Sequence, residues 1–106
     1  SNNIGILAIS NTNVGIDIEK IKKYNESICK KYYTNEEYNY LKTTSNKDYE
    51  YTKIWTIKEA YLKYNGYGID KLKEINNIQN KYKIIDYDDY IITVYSDDLK
   101  IVVKEV

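Results

Sequence analysis

Val14-Gly15-Ile16-Asp17-Ile18-Glu19 alternates with a period of two, the pattern of an extended strand. Successive side chains of a strand point to opposite faces, so Val14, Ile16 and Ile18 share one face while Gly15, Asp17 and Glu19 share the other. The two acids then stand roughly 6–7 Å apart at the backbone, near enough for both to lean toward one hard cation. Gly15 is expected to leave that face unobstructed. The plainer reading is a half-buried strand with a solvated acidic face, and these six residues alone do not choose between the two.

Upstream, Ile4 to Ser10 is apolar and β-branched and Asn11-Thr12-Asn13 is turn chemistry, so a first strand is expected to join the Val14 strand as a hairpin. Downstream, Ile21, Tyr24, Ile28 and Tyr32 are spaced for one helical face, which predicts a helix from about Asn25. Thr34-Asn35-Glu36-Glu37 has the form of a capping box, with Tyr38 and Leu41 following on one face, and predicts a short helix to about Thr43. Tyr49 to Tyr64 is the strongest helical stretch, its stripe running through Ile54, Ile57, Ala60, Tyr61 and Tyr64. Asn65-Gly66 and then Gly68 end it with residues that tolerate positive φ.

A polar stretch leads to β-prone segments at Tyr82 to Asp86, Tyr90 to Tyr95 and Leu99 to Val103, the last two joined at Ser96-Asp97-Asp98. Strands, then helices, then strands predict an α+β domain: an antiparallel sheet packed against about three helices. No internal repeat or low-complexity linker divides the chain, so residues 1–106 form one domain.

Composition narrows the chemistry. With 16 Lys against 16 acids and a net charge of +0, neither a nucleic-acid-binding field nor a polybasic membrane patch is indicated. Arg and His are absent, which removes His bases, His metal ligands, Ser/His/Asp triads and Arg phosphate forks. Carboxylates, Lys, Tyr hydroxyls and backbone amides remain. The single Cys29 reads as a buried residue and fits a reducing cytoplasm. Apolar runs are too short to span a bilayer and no signal segment opens the chain, so a soluble, cytoplasmic protein is expected. Asn25-Glu26-Ser27 matches the glycosylation sequon but means little without a secretory route. With no Met even at position 1, Ser1-Asn2 is expected to be a tag remnant and the natural start to lie upstream. Phe is also absent, leaving 14 Tyr and one Trp, and each buried Tyr needs a partner for its hydroxyl.

Within the central helix, Trp55-Thr56-Ile57-Lys58-Glu59-Ala60-Tyr61-Leu62-Lys63 sets Glu59 and Lys63 at i and i+4, carboxylate beside ammonium. Such pairs are routine surface stabilisers of about 0.2–0.5 kcal/mol. A third carboxylate and a cation are also what a strand-borne Asp/Glu pair needs to finish a magnesium-phosphate site, since magnesium takes oxygen ligands and is completed by substrate phosphates.

Val14-Gly15-Ile16-Asp17-Ile18-Glu19, then Trp55-x-x-Lys58-Glu59-Ala60-x-x-x-Lys63, then Gly66-x-Gly68, resembles the signature of the 4′-phosphopantetheinyl transferase superfamily, most of all the carboxy-terminal half of its Sfp-type branch. The strand at Ile4 to Ser10, the Tyr32-Tyr33-Thr34-x-x-Glu37 segment and the closing strands fall in the family's order, so the resemblance spans nearly the whole chain. It implies magnesium-dependent transfer of the phosphopantetheine arm of coenzyme A to a serine of an acyl or peptidyl carrier protein, releasing 3′,5′-ADP. By this resemblance Asp17, Glu19 and Glu59 hold magnesium and Lys63 neutralises or protonates the leaving phosphate. Lys58 either contacts coenzyme A phosphate or snorkels to solvent. Glu59 or Glu37 would deprotonate the carrier serine; Glu59 is preferred, because the capping box already accounts for Glu37. Lys22, Lys23, Lys30 and Lys31 could meet an acidic carrier.

The resemblance is to one of two related halves. Sfp-type enzymes are about twice this length, with coenzyme A bound in the cleft between the halves, and their upstream Ser-His segment has no counterpart here. The shorter AcpS-type branch builds its sites between subunits and carries a Ser-His segment near its end, of which Ser96-Asp97-Asp98 is at best a remnant. Either a missing amino-terminal half or self-association is therefore expected, and the alternative function is a catalytically incompetent half-domain serving as a carrier-protein binding or assembly module.

Overall fold

The structure, a computed structural model, describes residues 4–8, 14–75, 82–96 and 101–105, with side-chain surroundings for 14–75 and 82–96. Its elements run β1 (Ile4–Ala8), β2 (Val14–Lys20), α1 (Glu26–Tyr32), α2 (Asn35–Thr43), α3 (Lys47–Asn65), a 3-10 turn (Ile69–Glu74), β3 (Tyr82–Tyr87), β4 (Tyr90–Ser96) and β5 (Ile101–Glu105). This is the expected α+β arrangement of antiparallel strands and three helices.

The strands pair differently from expectation. β1 pairs antiparallel with β5, from Ile4 opposite Glu105 to Ala8 opposite Ile101, rather than with β2. A second antiparallel sheet has the order β2-β4-β3. Turn residues between two strands permit a hairpin without requiring one, and the expected turn at 11–13 lies outside the described residues. The hairpin that forms joins β3 to β4: Tyr87 faces Tyr90 across Asp88-Asp89, with Asp88 at φ 50°, a conformation a short acidic side chain tolerates. β4 and β5, expected to be neighbours, lie in different sheets; residues 97 and 98 are outside the described residues.

The helices follow their local chemistry. Asn25 caps α1 by accepting from the Ile28 amide at 3.1 Å. Thr34 and Glu37 form the complete capping box on α2: the Glu37 amide donates to Thr34 Oγ1 at 3.2 Å and the Thr34 amide to Glu37 Oε1 at 2.9 Å. Gly66 ends α3 at φ 70°, the left-handed position that glycine occupies without a Cβ penalty. Gly68, expected to share that role, is extended at φ −85°.

α3 is the hub, and its faces meet different partners. Thr52, Thr56, Ala60 and Lys63 look toward the sheet: Thr52 Oγ1 accepts from the Lys22 amide at 2.9 Å, and Thr93 of β4 donates to Thr56 Oγ1 at 2.9 Å. Tyr51 packs with Cys29, Tyr33 and Leu41 of the first two helices, where the Tyr33 hydroxyl finds its partner in the Tyr51 carbonyl at 2.6 Å. Leu62 packs with Leu72 and Ile75. Cys29 is buried as expected, and burial pushes its thiol up to about 11.

Candidate functional site

The acidic face of β2 is the inner face. Asp17 is only 6% exposed, whereas Val14, on the apolar face, is 36% exposed. The solvated-acid reading is thus inverted, and Gly15 explains how. It does not leave open space: a Cβ there would collide with the Ala60 carbonyl oxygen and stand 2.6 Å from the Tyr64 amide nitrogen. Glycine lets the backbones of α3 and β2 touch, and that contact buries the carboxylate two residues on.

Lys63 reaches across to it. Its ammonium donates to Asp17 Oδ1 at 2.9 Å and to the Ile16 carbonyl at 3.2 Å. The other carboxylate oxygen, Asp17 Oδ2, is buried without a hydrogen-bond partner. Burial lifts the Asp17 carboxyl to about 7, with the Glu19 carboxyl raising it further and the Lys63 bond opposing. A buried carboxyl is penalised in its charged form, so this oxygen is poised to accept either a proton or a cation.

Glu19 shares the face, but its Oε1 is held by Lys22 Nζ at 2.9 Å; Lys22 was not singled out for this position. Glu59 lies on the stripe through Thr56 and Lys63. It is half-buried, and its carboxyl is raised first by burial and then by Glu19, with Lys63 and Lys22 lowering it. Asp17, Glu19 and Glu59 thus belong to one electrostatic neighbourhood. Among the described residues, however, no three His, Cys, Asp or Glu side chains converge closely enough to hold a metal. The orphaned Asp17 oxygen and the all-oxygen donor set fit a hard cation; closing the shell requires the carboxylates to draw together, with Glu19 leaving Lys22.

Lys58 and Glu37 lie elsewhere. Lys58 does not snorkel: its side chain is 0% exposed, and its ammonium meets Glu37 Oε1 at 2.9 Å, the Leu72 carbonyl at 2.8 Å and the Ile75 carbonyl at 2.9 Å. It also lies 5.8 Å from the centre of the Tyr33 ring. An ammonium has three N–H donors, and all three are engaged. Glu37 Oε1 serves both this ion pair and the α2 cap.

Beside the β2 end of the site, Lys22, Lys23, Asn25, Ile28, Tyr51, Thr52 and Trp55 line a cavity of about 280 Å³. Its lining mixes apolar and aromatic side chains with two lysines, one of which, Lys22, is engaged by Glu19.

The described residues thus form an α+β domain that sets strand-borne carboxylates against a helix ammonium, with an unpartnered buried oxygen beside it. A family model described as the 4′-phosphopantetheinyl transferase superfamily matches residues 13–94. The chain belongs to that superfamily. It is 36% identical over 80 residues to 4′-phosphopantetheinyl transferase HetI of Nostoc sp. (strain PCC 7120 / SAG 25.82 / UTEX 2576), covering 71% of this chain and 34% of the relative. It is 38% identical over 66 residues to 4′-phosphopantetheinyl transferase gsp of Aneurinibacillus migulanus, covering 60% and 28%. The chain therefore spans about a third of the length of these relatives. The crystal structure of Thermotoga maritima holo-[acyl-carrier-protein] synthase (AcpS) shares the fold, with a TM-score of 0.55 at 15% identity over 90% of this chain and 64% of that one.

Proposed function

We propose that this chain supplies the metal-and-phosphate half of a phosphopantetheinyl transfer site, moving 4′-phosphopantetheine from coenzyme A to a serine of an acyl or peptidyl carrier protein. Asp17, Glu19 and Glu59 would hold a magnesium ion, which when bound spreads the charge of the pyrophosphate. The observation that carries this is the buried, unpartnered Asp17 Oδ2 beside the Lys63 ammonium.

The serine oxygen forms a bond to the phosphorus nearer the pantetheine arm, the pyrophosphate P–O bond breaks, and 3′,5′-ADP leaves. Glu59 takes the serine proton through the carboxylate oxygen that the metal leaves free. Lys63 balances the charge on the leaving phosphate. It is suited to this because two of its three donors are used inside the chain and half of its side chain is exposed.

Family membership and the share of the relatives' length together support a site that works against a second wall, either an amino-terminal half or another copy. No described helix is long and apolar enough to cross a membrane, and a cytoplasmic location is part of the proposal. A second reading, a carrier-binding module without turnover, is favoured by one observation: the three carboxylates do not converge among the described residues.

The test is labelling of an apo carrier protein with fluorescent coenzyme A in magnesium, by the chain alone and with an amino-terminal half. Labelling that Asp17→Ala or Glu59→Ala abolishes supports transfer. Absence of labelling in both arrangements sinks it, and magnesium-dependent binding of coenzyme A or carrier without product selects the module.

A further inference from the structure

We infer that Lys58 and Glu37 touch neither coenzyme A nor the carrier serine, and instead form a buried clamp that sets the rotation of α3 and so positions Glu59 and Lys63. The inference deepens the proposed transfer site and rests on it for what is positioned; the clamp itself stands on geometry alone.

Lys58 joins three parts of the fold at one nitrogen: α2 through Glu37, α3 through its own backbone, and the segment after α3 through the Leu72 and Ile75 carbonyls. With its three donors engaged and no exposed surface, it has none to offer a phosphate. Glu37 Oε1 already accepts from Lys58 and from the Thr34 amide. Glu37 Oε1 is thereby committed to Lys58 and to the α2 cap, so the pair serves structure at the place where the motif reading put substrate contacts.

The clamp acts through helix geometry. Each residue turns about 100° around a helix, so a Lys58 held against Leu72 and Ile75 rotates Glu59, its chain neighbour, toward the Thr52-Thr56-Lys63 stripe. Leu62, one turn on from Lys58, buries against the same Leu72 and Ile75, and Lys63 beside it reaches Asp17. Lys58 and Leu62 are thus the inward side of a lever whose outward side carries Glu59 and Lys63. Releasing the Lys58 ammonium frees two carbonyls and one carboxylate at once, and the helix face over β2 loses its rear support.

The experiment uses the full 106-residue chain with Lys58→Met, Glu37→Gln and the double variant, which removes both charges and keeps an amide able to cap α2. The first readout is hydrogen exchange. In Lys58→Met the amides of 69–75 should exchange roughly tenfold faster relative to those of β4 in the same molecule, which corrects for global destabilisation. Unchanged relative protection overturns the clamp.

The second readout is magnesium binding by calorimetry, with the metal alone as probe. A positioning lysine leaves the carboxylates misplaced when removed, so magnesium should bind roughly tenfold more weakly in Lys58→Met and in the folded double variant. A phosphate-contacting lysine would do the opposite, because removing a positive charge near a cation site leaves affinity equal or tighter; that result overturns the inference. If the unmodified chain binds no magnesium on its own, the titration is repeated with coenzyme A and an amino-terminal half present; absence of binding there too counts against the transfer reading, and hydrogen exchange still decides the clamp.

Discussion

Lys63 Nζ stands 2.9 Å from Asp17 Oδ1, a contact between α3 and β2 that satisfies one carboxylate oxygen and leaves the other buried without a partner. The consequence is a carboxyl raised from 3.8 to about 7, chiefly by burial. In the unfolded chain the group titrates near 3.8, so between these values the folded state binds more protons than the unfolded one. Stability attributable to Asp17 is therefore greatest below about pH 4 and is lost as pH rises through about 7. Urea unfolding in EDTA at a series of pH values should show this decline relative to Asp17→Asn, which keeps an acceptor for Lys63 and cannot ionise. Parallel profiles for the two proteins would refute the assignment.

Gly15→Ala tests the contact that buries Asp17. The added methyl meets the Ala60 carbonyl oxygen and the Tyr64 amide nitrogen, both backbone atoms, so no side-chain rotation relieves it. A loss of about 3 kcal/mol is expected, read as a lower urea midpoint. Because the strain separates α3 from β2, the raised Asp17 pKa should fall back toward the ordinary carboxylate range in the molecules that still fold. A stability change under about 0.5 kcal/mol would mean that the two backbones are not in contact.

The Thr56–Thr93 pair predicts an asymmetry. Thr93 donates to Thr56 Oγ1, and Thr56 in turn donates to the Lys53 carbonyl at 2.7 Å. Thr56→Val leaves the buried Thr93 hydroxyl without its acceptor and should cost about 2 kcal/mol. Thr93→Val leaves Thr56 still bonded to Lys53 and should cost less than about 1 kcal/mol. Denaturant unfolding of the two variants decides this, and equal losses would reject the bonding direction.

What could be read from the chain, and what could not, divides along the range of the interaction. The Thr34/Glu37 capping box, the Asn25 cap and the Gly66 stop depend on residues within a few positions of one another, and each forms as its local chemistry dictates. The pairing of β1 with β5 joins the two ends of the chain, and nothing in the alternation of either strand names its partner. The surroundings of Asp17 and Lys58 were hidden for a different reason. Charged residues are almost never fully buried unless paired, which makes a solvated acid and a snorkelling lysine the natural expectations; both were overturned by partners 46 and 21 positions away. Gly15 was the one local sign of the inner face, since it alone on that face lacks a side chain.

Magnesium binding supplies the last prediction, because the buried carboxyl that resists ionisation must ionise to coordinate the metal. With Asp17 at about 7, cation binding near pH 7 displaces a proton from the fraction of molecules that still carry one, about half a proton per metal from this group. At pH 6 the release should approach one proton and at pH 8 it should be small; Glu59, also raised by burial, adds to the acid end. Calorimetric titration of magnesium in buffers of different ionisation enthalpy measures the release directly. Asp17→Asn should lower both the affinity and the proton count, whereas Lys22→Met, which frees Glu19 from its salt bridge, should strengthen binding without changing the Asp17 proton. If release is independent of pH between 6 and 8 and Asp17→Asn leaves the affinity unchanged, then Asp17 is not a ligand, and the orphaned oxygen between β2 and α3 is a feature of packing alone.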